Sequence, residues 1–420
     1  MLFKKKYAYG KQSISLLDIW SVIKVLRSDF LTQGPKVKEF EQAICDYTGA
    51  KYCVAVSNGT AALHLAVAIF DLKNTDEVIT SPITFVATAN SILYSGANVK
   101  FADINLEDGC INLNEIKKYI TVNTKRIIPV HYAGISCDME KIYQIAHENN
   151  LFIIEDAAHA IGSEYKGEKV GNCKYSDMTI FSFHPVKTIT TGEGGAITTN
   201  NKEIYEKLLL LRSHGITKNN SCFVSPAQFA ISEQPVISEM FVIPDSDPGS
   251  SYINKSLYGA WYYEQQVLGF NYRLPDINAA LGISQLKKID KFIKRRREIV
   301  EFYKESFMND SRFYFFSEPE YSKAAFHLFP LFINFEQLKI NKIELFEKLK
   351  NNGLNLQVHY IPVYRQPYYQ NFGFKFNNYP NSEKFYTIEL SLPLYYDLNK
   401  RDLKKIVKII KQLIVLSSPT

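Results

Sequence analysis

Short apolar runs that end in polar or charged residues alternate along this chain with stretches whose apolar positions recur every three to four residues. The first pattern marks buried parallel strands and the second marks helices. Strands are expected at Tyr52 to Val56, Val78 to Ser81, Val99 to Asp103, Arg126 to Val130, Leu151 to Ile154, Met178 to Phe183 and Ala196 to Thr199. Helices are expected at Ile14 to Ser28, Val37 to Thr48, Ala61 to Phe70, Val86 to Tyr94 and Asn114 to Tyr119. In the first helix Ile14, Leu17, Trp20, Ile23, Val25 and Leu26 fall on roughly one side, with Ser13 or Ser15 as its cap. This alternation predicts an α/β chain built on a mainly parallel sheet. Farther on, long helices (Ile277 to Gln285 and Leu286 to Phe307) lead to a region of mixed strand (Leu328 to Phe335) and helix (Lys342 to Lys350, Asp402 to Leu416).

A chain of 420 residues exceeds what one core normally serves, so two domains are expected. Between Thr217 and Gly259 the sequence is rich in Ser and Pro and has no helical period, which reads as a surface loop or lid inserted at 218–258. Six cysteines show neither zinc-ligand spacing nor disulfide density, so no metal is expected and the thiols are read as reduced, in a cytoplasm. No stretch approaches the ~20 apolar residues of a membrane span, and the basic start has no apolar segment of an export signal behind it. The net charge of +6 is a modest excess. Lys294-Arg295-Arg296-Arg297 is read as a solvated helix face, and no nucleic-acid or membrane partner is expected.

Chemistry concentrates between Leu151 and Asn200. One strand ends in Glu155-Asp156, and another is followed by His184-Pro185-Val186-Lys187 and a Gly-rich turn. Open α/β sheets bind ligands outside their strand ends, where a carboxylate can keep a pyridinium nitrogen protonated. A lysine on the neighbouring loop can form a Schiff base if it is desolvated enough to be neutral. Asp156 and Lys187 therefore point to pyridoxal 5'-phosphate. Taken singly, either residue reads as a helix cap or a surface lysine; the pairing at two strand ends decides. Gly59 and Thr60, between a strand and a helix amino terminus, suit the phosphate.

The blocks EDAAHAIGSEYKGEKVG and FSFHPVKTITTGEGGA resemble the DegT-type sugar aminotransferases, and so do SPITFVATANSILYSG and WYYEQQVLGFNYRLPDINAALGISQLKKID. Within that family they are similar to the branch that makes the pseudaminic acid precursor. The resemblance covers nearly the whole chain apart from the insertion. It implies the type I fold of aspartate aminotransferase: an arm and helix at 1–30, a large cofactor-binding domain at 31–285 and a small α/β domain at 286–420. It implies Phe85 stacked on the cofactor ring, His159 beside the cofactor hydroxyl, Ser182 on the phosphate, and Asn271 reaching across a homodimer interface to the partner's phosphate. Tyr9, Asp29, Phe30, Leu31, Thr32, Gln357, His359, Tyr360 and Pro362 correspond to substrate contacts. The implied reaction moves an amino group from L-glutamate to C4 of a UDP-linked 4-keto-6-deoxy-N-acetylhexose. Another UDP- or dTDP-linked keto sugar stays open, as does a cofactor-bound sensor without turnover. A dehydratase is disfavoured, because relatives of that kind replace the lysine by His.

Overall fold

The structure, a computed structural model, describes residues 6–219, 222–223, 261–338 and 340–415. All of the expected insertion except residues 218, 219, 222 and 223 lies outside the described residues. Contacts divide the chain into two compact units, Met1–Leu208 with Tyr272–Thr420, and Leu209–Asn271.

The first unit opens with α1 (Leu16–Leu26) and α2 (Pro35–Thr48), then alternates β1 (Tyr52–Val56), α3 (Gly59–Ala68), β2 (Glu77–Thr80), α4 (Val86–Tyr94), β3 (Asn98–Phe101) and α5 (Leu113–Tyr119). It continues through β4 (Thr124–Ile128), α6 (Met139–Glu148), β5 (Phe152–Asp156), β6 (Met178–Ser182) and β7 (Gly195–Thr199), after which the chain enters α7 (Lys202–Arg212). These strands form one seven-stranded sheet in the order β1-β7-β6-β5-β4-β2-β3. All neighbours are parallel except β7, which is antiparallel to both β1 and β6. Helices cover such a sheet, which is why its strands are continuous apolar runs rather than alternating ones.

After α8 (Asp276–Leu286) and α9 (Ile289–Phe307), strands β8 (Phe313–Tyr314), β9 (Phe329–Ile333) and β10 (Glu389–Leu392) make a three-stranded antiparallel sheet flanked by α10 (Lys342–Asn351) and α11 (Lys400–Val415). A continuous apolar cluster joins Ile79, Ile127 and Ile153 of the large sheet to Leu331, Leu390 and Ile406 of this later part. In the second unit, a short antiparallel pair, Ile216–Thr217 with Glu264–Gln265, stands beside a bridge from Ser213 to Asn271.

One reading of the sequence needs correction, and one helix face is not what covers the core. Along α1 most apolar residues are exposed: Leu16 and Leu17 are more than 70% exposed and Trp20 is 54% exposed, while Asp18 and Val25 are buried. The reading to correct is that of the basic run on α9, which is not a solvated face. Arg296 is buried and donates to the carbonyls of Phe326, His327 and Leu394, and Arg297 pairs with Glu318 at 2.8 Å.

Asp18 docks α1 onto the rest of the unit. It accepts from the Ser15 backbone at 2.7 Å, from Ser284 at 2.6 Å, from Gln285 at 2.9 Å and from Lys288. Burial pushes its carboxyl up, but the bonds from Lys288, Ser284 and Ser15 outweigh burial and hold it below the ordinary carboxylate range. Asp18→Ala should cost about 2–3 kcal/mol, because charge-assisted bonds are lost and their donors are left unmatched; a lower thermal midpoint by circular dichroism checks it. A depressed folded-state pKa contributes stability above the unfolded value, about 3.9, and loses it as pH falls through the folded value. The wild-type and Asp18→Ala midpoints should therefore converge in acid.

Candidate active site

The carboxyl ends of β1, β5 and β6 open into a cavity of about 890 Å³. Successive strand residues face opposite sides, which separates the two acids at the end of β5. Glu155 turns away from the cavity to His131 Nε2 at 2.7 Å and Thr179 at 2.8 Å, whereas Asp156 lines it. Asp156 accepts from Thr88 Oγ1 at 2.7 Å and from the Ala158 N–H at 3.1 Å, and Thr88 is itself bonded to Thr84 at 2.8 Å. Burial pushes the Asp156 carboxyl up, and these bonds together with the Lys187 charge offset only part of that rise. Burial in turn pushes the Lys187 ammonium down to about 8, against the opposing pull of Asp156. The cavity therefore holds an amine that sheds its proton near pH 8, within electrostatic reach of a carboxylate.

The same cavity wall holds a cradle for an anion. Asn58 caps α3 by accepting from the Ala61 N–H at 2.8 Å, leaving the first turn of the helix facing the cavity with Gly59 and Thr60 in its wall. A Cβ on Gly59 would meet Ser182 Cβ at 2.8 Å, and one on Gly195 would meet the Asn58 carbonyl oxygen at 2.5 Å. Inserting β7 between β1 and β6 draws these turns together, and only glycine fits there.

His159 lines the same cavity. Its Nε2 is 2.9 Å from Tyr360 Oη, while its Nδ1 is buried with no partner among the described residues. Burial, and then the charges of Lys187 and His359, push its pKa well below 6.5, so the ring is neutral. An orphaned ring nitrogen, a phosphate-sized cradle and a buried carboxylate suit a flat cofactor with a phosphate, a hydroxyl and a basic ring nitrogen.

Of the residues singled out from sequence, Tyr9, Gly59, Thr60, Phe85, Asp156, His159, Ser182, Lys187, Gln357, His359 and Tyr360 line this one cavity. Asp29, Phe30, Leu31 and Thr32 are exposed and lie outside it, as does Pro362. Asn271 belongs to the second unit, where it bridges to Ser213. Sequence reasoning missed Thr84 and Thr88, although their spacing of four across the start of a helix after a strand end is a readable signal. It also missed His327, whose ring centroid is 4.5 Å from that of His159; nothing local in the sequence marks it.

Known proteins match this chain in sequence and in fold. The sequence pattern of the DegT/DnrJ/EryC1/StrS aminotransferase family matches residues 13–411. A UDP-4-amino-4,6-dideoxy-N-acetyl-beta-L-altrosamine transaminase of Campylobacter jejuni is 38% identical over 94% of this chain and 94% of its own length. The Helicobacter pylori protein PseC, an aminotransferase involved in the biosynthesis of pseudoaminic acid, superposes with a TM-score of 0.85 at 32% identity, covering 98% of this chain and 100% of its own. The PLP-form of a putative sugar aminotransferase from Streptococcus pneumoniae gives a TM-score of 0.84 at 27% identity, covering 98% and 99%.

Lys187 offers a direct check. In cofactor-free protein its acylation rate, followed by mass spectrometry, should rise with a midpoint near pH 8, where its pKa is placed by burial. Asp156→Asn removes the charge that favours the ammonium, so the midpoint should move lower still. A midpoint near the ordinary lysine value in the wild type would contradict the burial argument.

Proposed function

Because the chain belongs to the DegT/DnrJ/EryC1/StrS aminotransferase family, we propose that this aminotransferase uses pyridoxal 5'-phosphate to move an amino group from L-glutamate to C4 of a UDP-linked 4-keto-6-deoxy-N-acetylhexose. The substrate we favour is UDP-2-acetamido-2,6-dideoxy-beta-L-arabino-hex-4-ulose, on a route to pseudaminic acid, and the reaction would take place in the cytoplasm. The observation that carries the reading is the convergence of Lys187, Asp156 and the Gly59-Ser182 cradle on one cavity. Relatives at 34–38% identity named for the altrosamine transaminase support the choice of sugar.

When bound, pyridoxal phosphate supplies an electron sink and a carrier for the amino group. Gly59, Thr60 and Ser182 would hold its phosphate, Phe85 would cover its ring, His159 would meet its hydroxyl and Asp156 its ring nitrogen. A carboxylate held by Thr88 and the Ala158 N–H is fixed for that contact. Lys187, about half of it neutral at pH 8 because it is desolvated, is suited to accept a proton at Nζ and return it on one face. Tyr9, Gln357, His359 and Tyr360 occupy the wall left for the sugar nucleotide.

A homodimer with shared sites is part of this proposal, as is the division into domains at 31–285 and 286–420. The exposed apolar side of α1, with Phe30 and Leu31 following it and Phe85 and Tyr94 also exposed, is the kind of surface that a second subunit covers. In that arrangement Asp29 to Thr32 and Asn271 would serve the partner's site.

Two tests follow. Incubating the holoenzyme with L-glutamate and a panel of UDP-4-keto sugars should yield the 4-amino sugar and 2-oxoglutarate, and Lys187→Ala should lower the rate by about 10³-fold or more while leaving the circular dichroism spectrum unchanged. Turnover retained in Lys187→Ala would remove the lysine from the mechanism. For the dimer, mixing inactive Lys187→Ala with an Asn271→Asp variant disabled at the phosphate should restore part of the activity, since one of the two sites in each heterodimer is then intact. Demonstrated subunit exchange without recovery would return Asn271 to its own chain or to no role.

A further inference from the structure

Strand β10 places Glu389 and Ser391 two residues apart, so both side chains leave the same face of the strand, toward His359. Ser391 Oγ lies 2.8 Å from His359 Nδ1 and donates to Glu389 Oε1 at 2.5 Å. The second carboxylate oxygen accepts the His359 backbone N–H at 2.9 Å. All three residues are buried, yet the His359 ring forms part of the cavity wall, and its Nε2 bonds to no described residue.

A serine hydroxyl has one proton to give, and a neutral imidazole has one N–H and one acceptor nitrogen. While Glu389 is ionised, the Ser391 proton is committed to the carboxylate. Ser391 can then only accept from His359 Nδ1–H, which leaves Nε2 as a bare acceptor. Once Glu389 is protonated it donates to Ser391, Ser391 turns its own proton to Nδ1, and Nε2 must carry the N–H. In moving between these states one proton enters at Nε2, the Nδ1 proton passes to Ser391 and the Ser391 proton passes to Glu389, so the set gains a single proton.

We propose that Glu389 and Ser391 are positioning residues that set the tautomer of His359, presenting an Nε2 acceptor to a hydroxyl or amide N–H of the sugar while Glu389 is ionised. The substrate half of this inference rests on the nucleotide-sugar reading above; the tautomer half does not. Burial, and then the Lys187 charge, hold the His359 pKa down at about 3, so the ring stays neutral and serves as a hydrogen-bonding group rather than a cation. Burial pushes Glu389 up to about 7, against the pull of Lys342, Ser391 and the His359 N–H. Tyr132 and Tyr360 also feel the Glu389 charge, and the His359 ring packs against Tyr9 and Tyr360.

Nuclear magnetic resonance of ¹⁵N-histidine in the pyridoxal phosphate-loaded protein reads the tautomer directly, with His359 assigned among eight histidines by its loss in His359→Asn. The His359 signal should pass from Nδ1–H to Nε2–H as the pH falls from about 8.5 to about 6. Glu389→Gln, whose amide donates to Ser391, should hold Nε2–H throughout, and Glu389→Asp should restore the transition. In Glu389→Gln at alkaline pH the KM for the keto sugar should rise about tenfold, with the rate of 2-oxoglutarate formation from glutamate unchanged. An invariant tautomer in the wild type overturns the relay even if the variant does not fold. A flipped tautomer with an unchanged KM overturns its link to the substrate. If the wild type aminates no keto sugar, the functional reading fails while the wild-type spectra still decide the relay.

Discussion

Everything at this site depends on holding Lys187 partly out of bulk water, in the wall of the cavity. An exposed lysine at neutral pH is a solvated cation with no lone pair to use. Here burial draws its pKa down to about 8, and the facing carboxylate of Asp156 limits the fall. The same exclusion of water raises Asp156 and leaves His159, His327 and His359 neutral, each pushed down by burial and by the Lys187 charge. The cost of desolvating several ionisable groups together is met by tight local bonding, such as Thr88 on Asp156 and Ser391 on His359.

How the chain builds that enclosure explains what the sequence could reveal. Strand ends are legible because an apolar run stopping at an acid or a Gly-rich turn is a local feature, and the residues on such turns (Gly59, Thr60, Asp156, Ser182 and Lys187) do gather at one cavity. Strand β1 and helix α4 fall at the bounds expected from pattern alone. Helix α3 starts two residues earlier than its apolar pattern, because Asn58 caps it from the preceding turn. Such a cap depends on one side-chain bond and leaves little trace in periodicity.

What the sequence concealed is of two kinds. His327 and Glu389 reach the site, or stand behind it, from the later part of the chain, and no spacing in the sequence relates them to Lys187. For α1 and for the Arg295-Arg296-Arg297 run, pattern was legible but its meaning was not. Periodicity tells which residues of a helix share a face; it does not tell what covers that face. On α1 the buried positions are Val25 and an aspartate anchored by Ser284, Gln285 and Lys288, and most of the apolar side is left exposed among the described residues.

That uncovered side bears on the chemistry. Among the described residues lining the cavity, Lys187 is the one lysine or arginine, and His159 and His359 are neutral there. A nucleotide diphosphate brings at least two negative charges, and binding sites for such groups supply cations or clustered N–H donors. The first turn of α3 supplies N–H donors, but the cofactor phosphate claims it in the proposed arrangement. The positive charge for the diphosphate must then come from beyond this wall. In the proposed homodimer, a second subunit seated on the exposed leucines of α1 would be the source of that charge, because it would bring side chains that this wall lacks among the described residues.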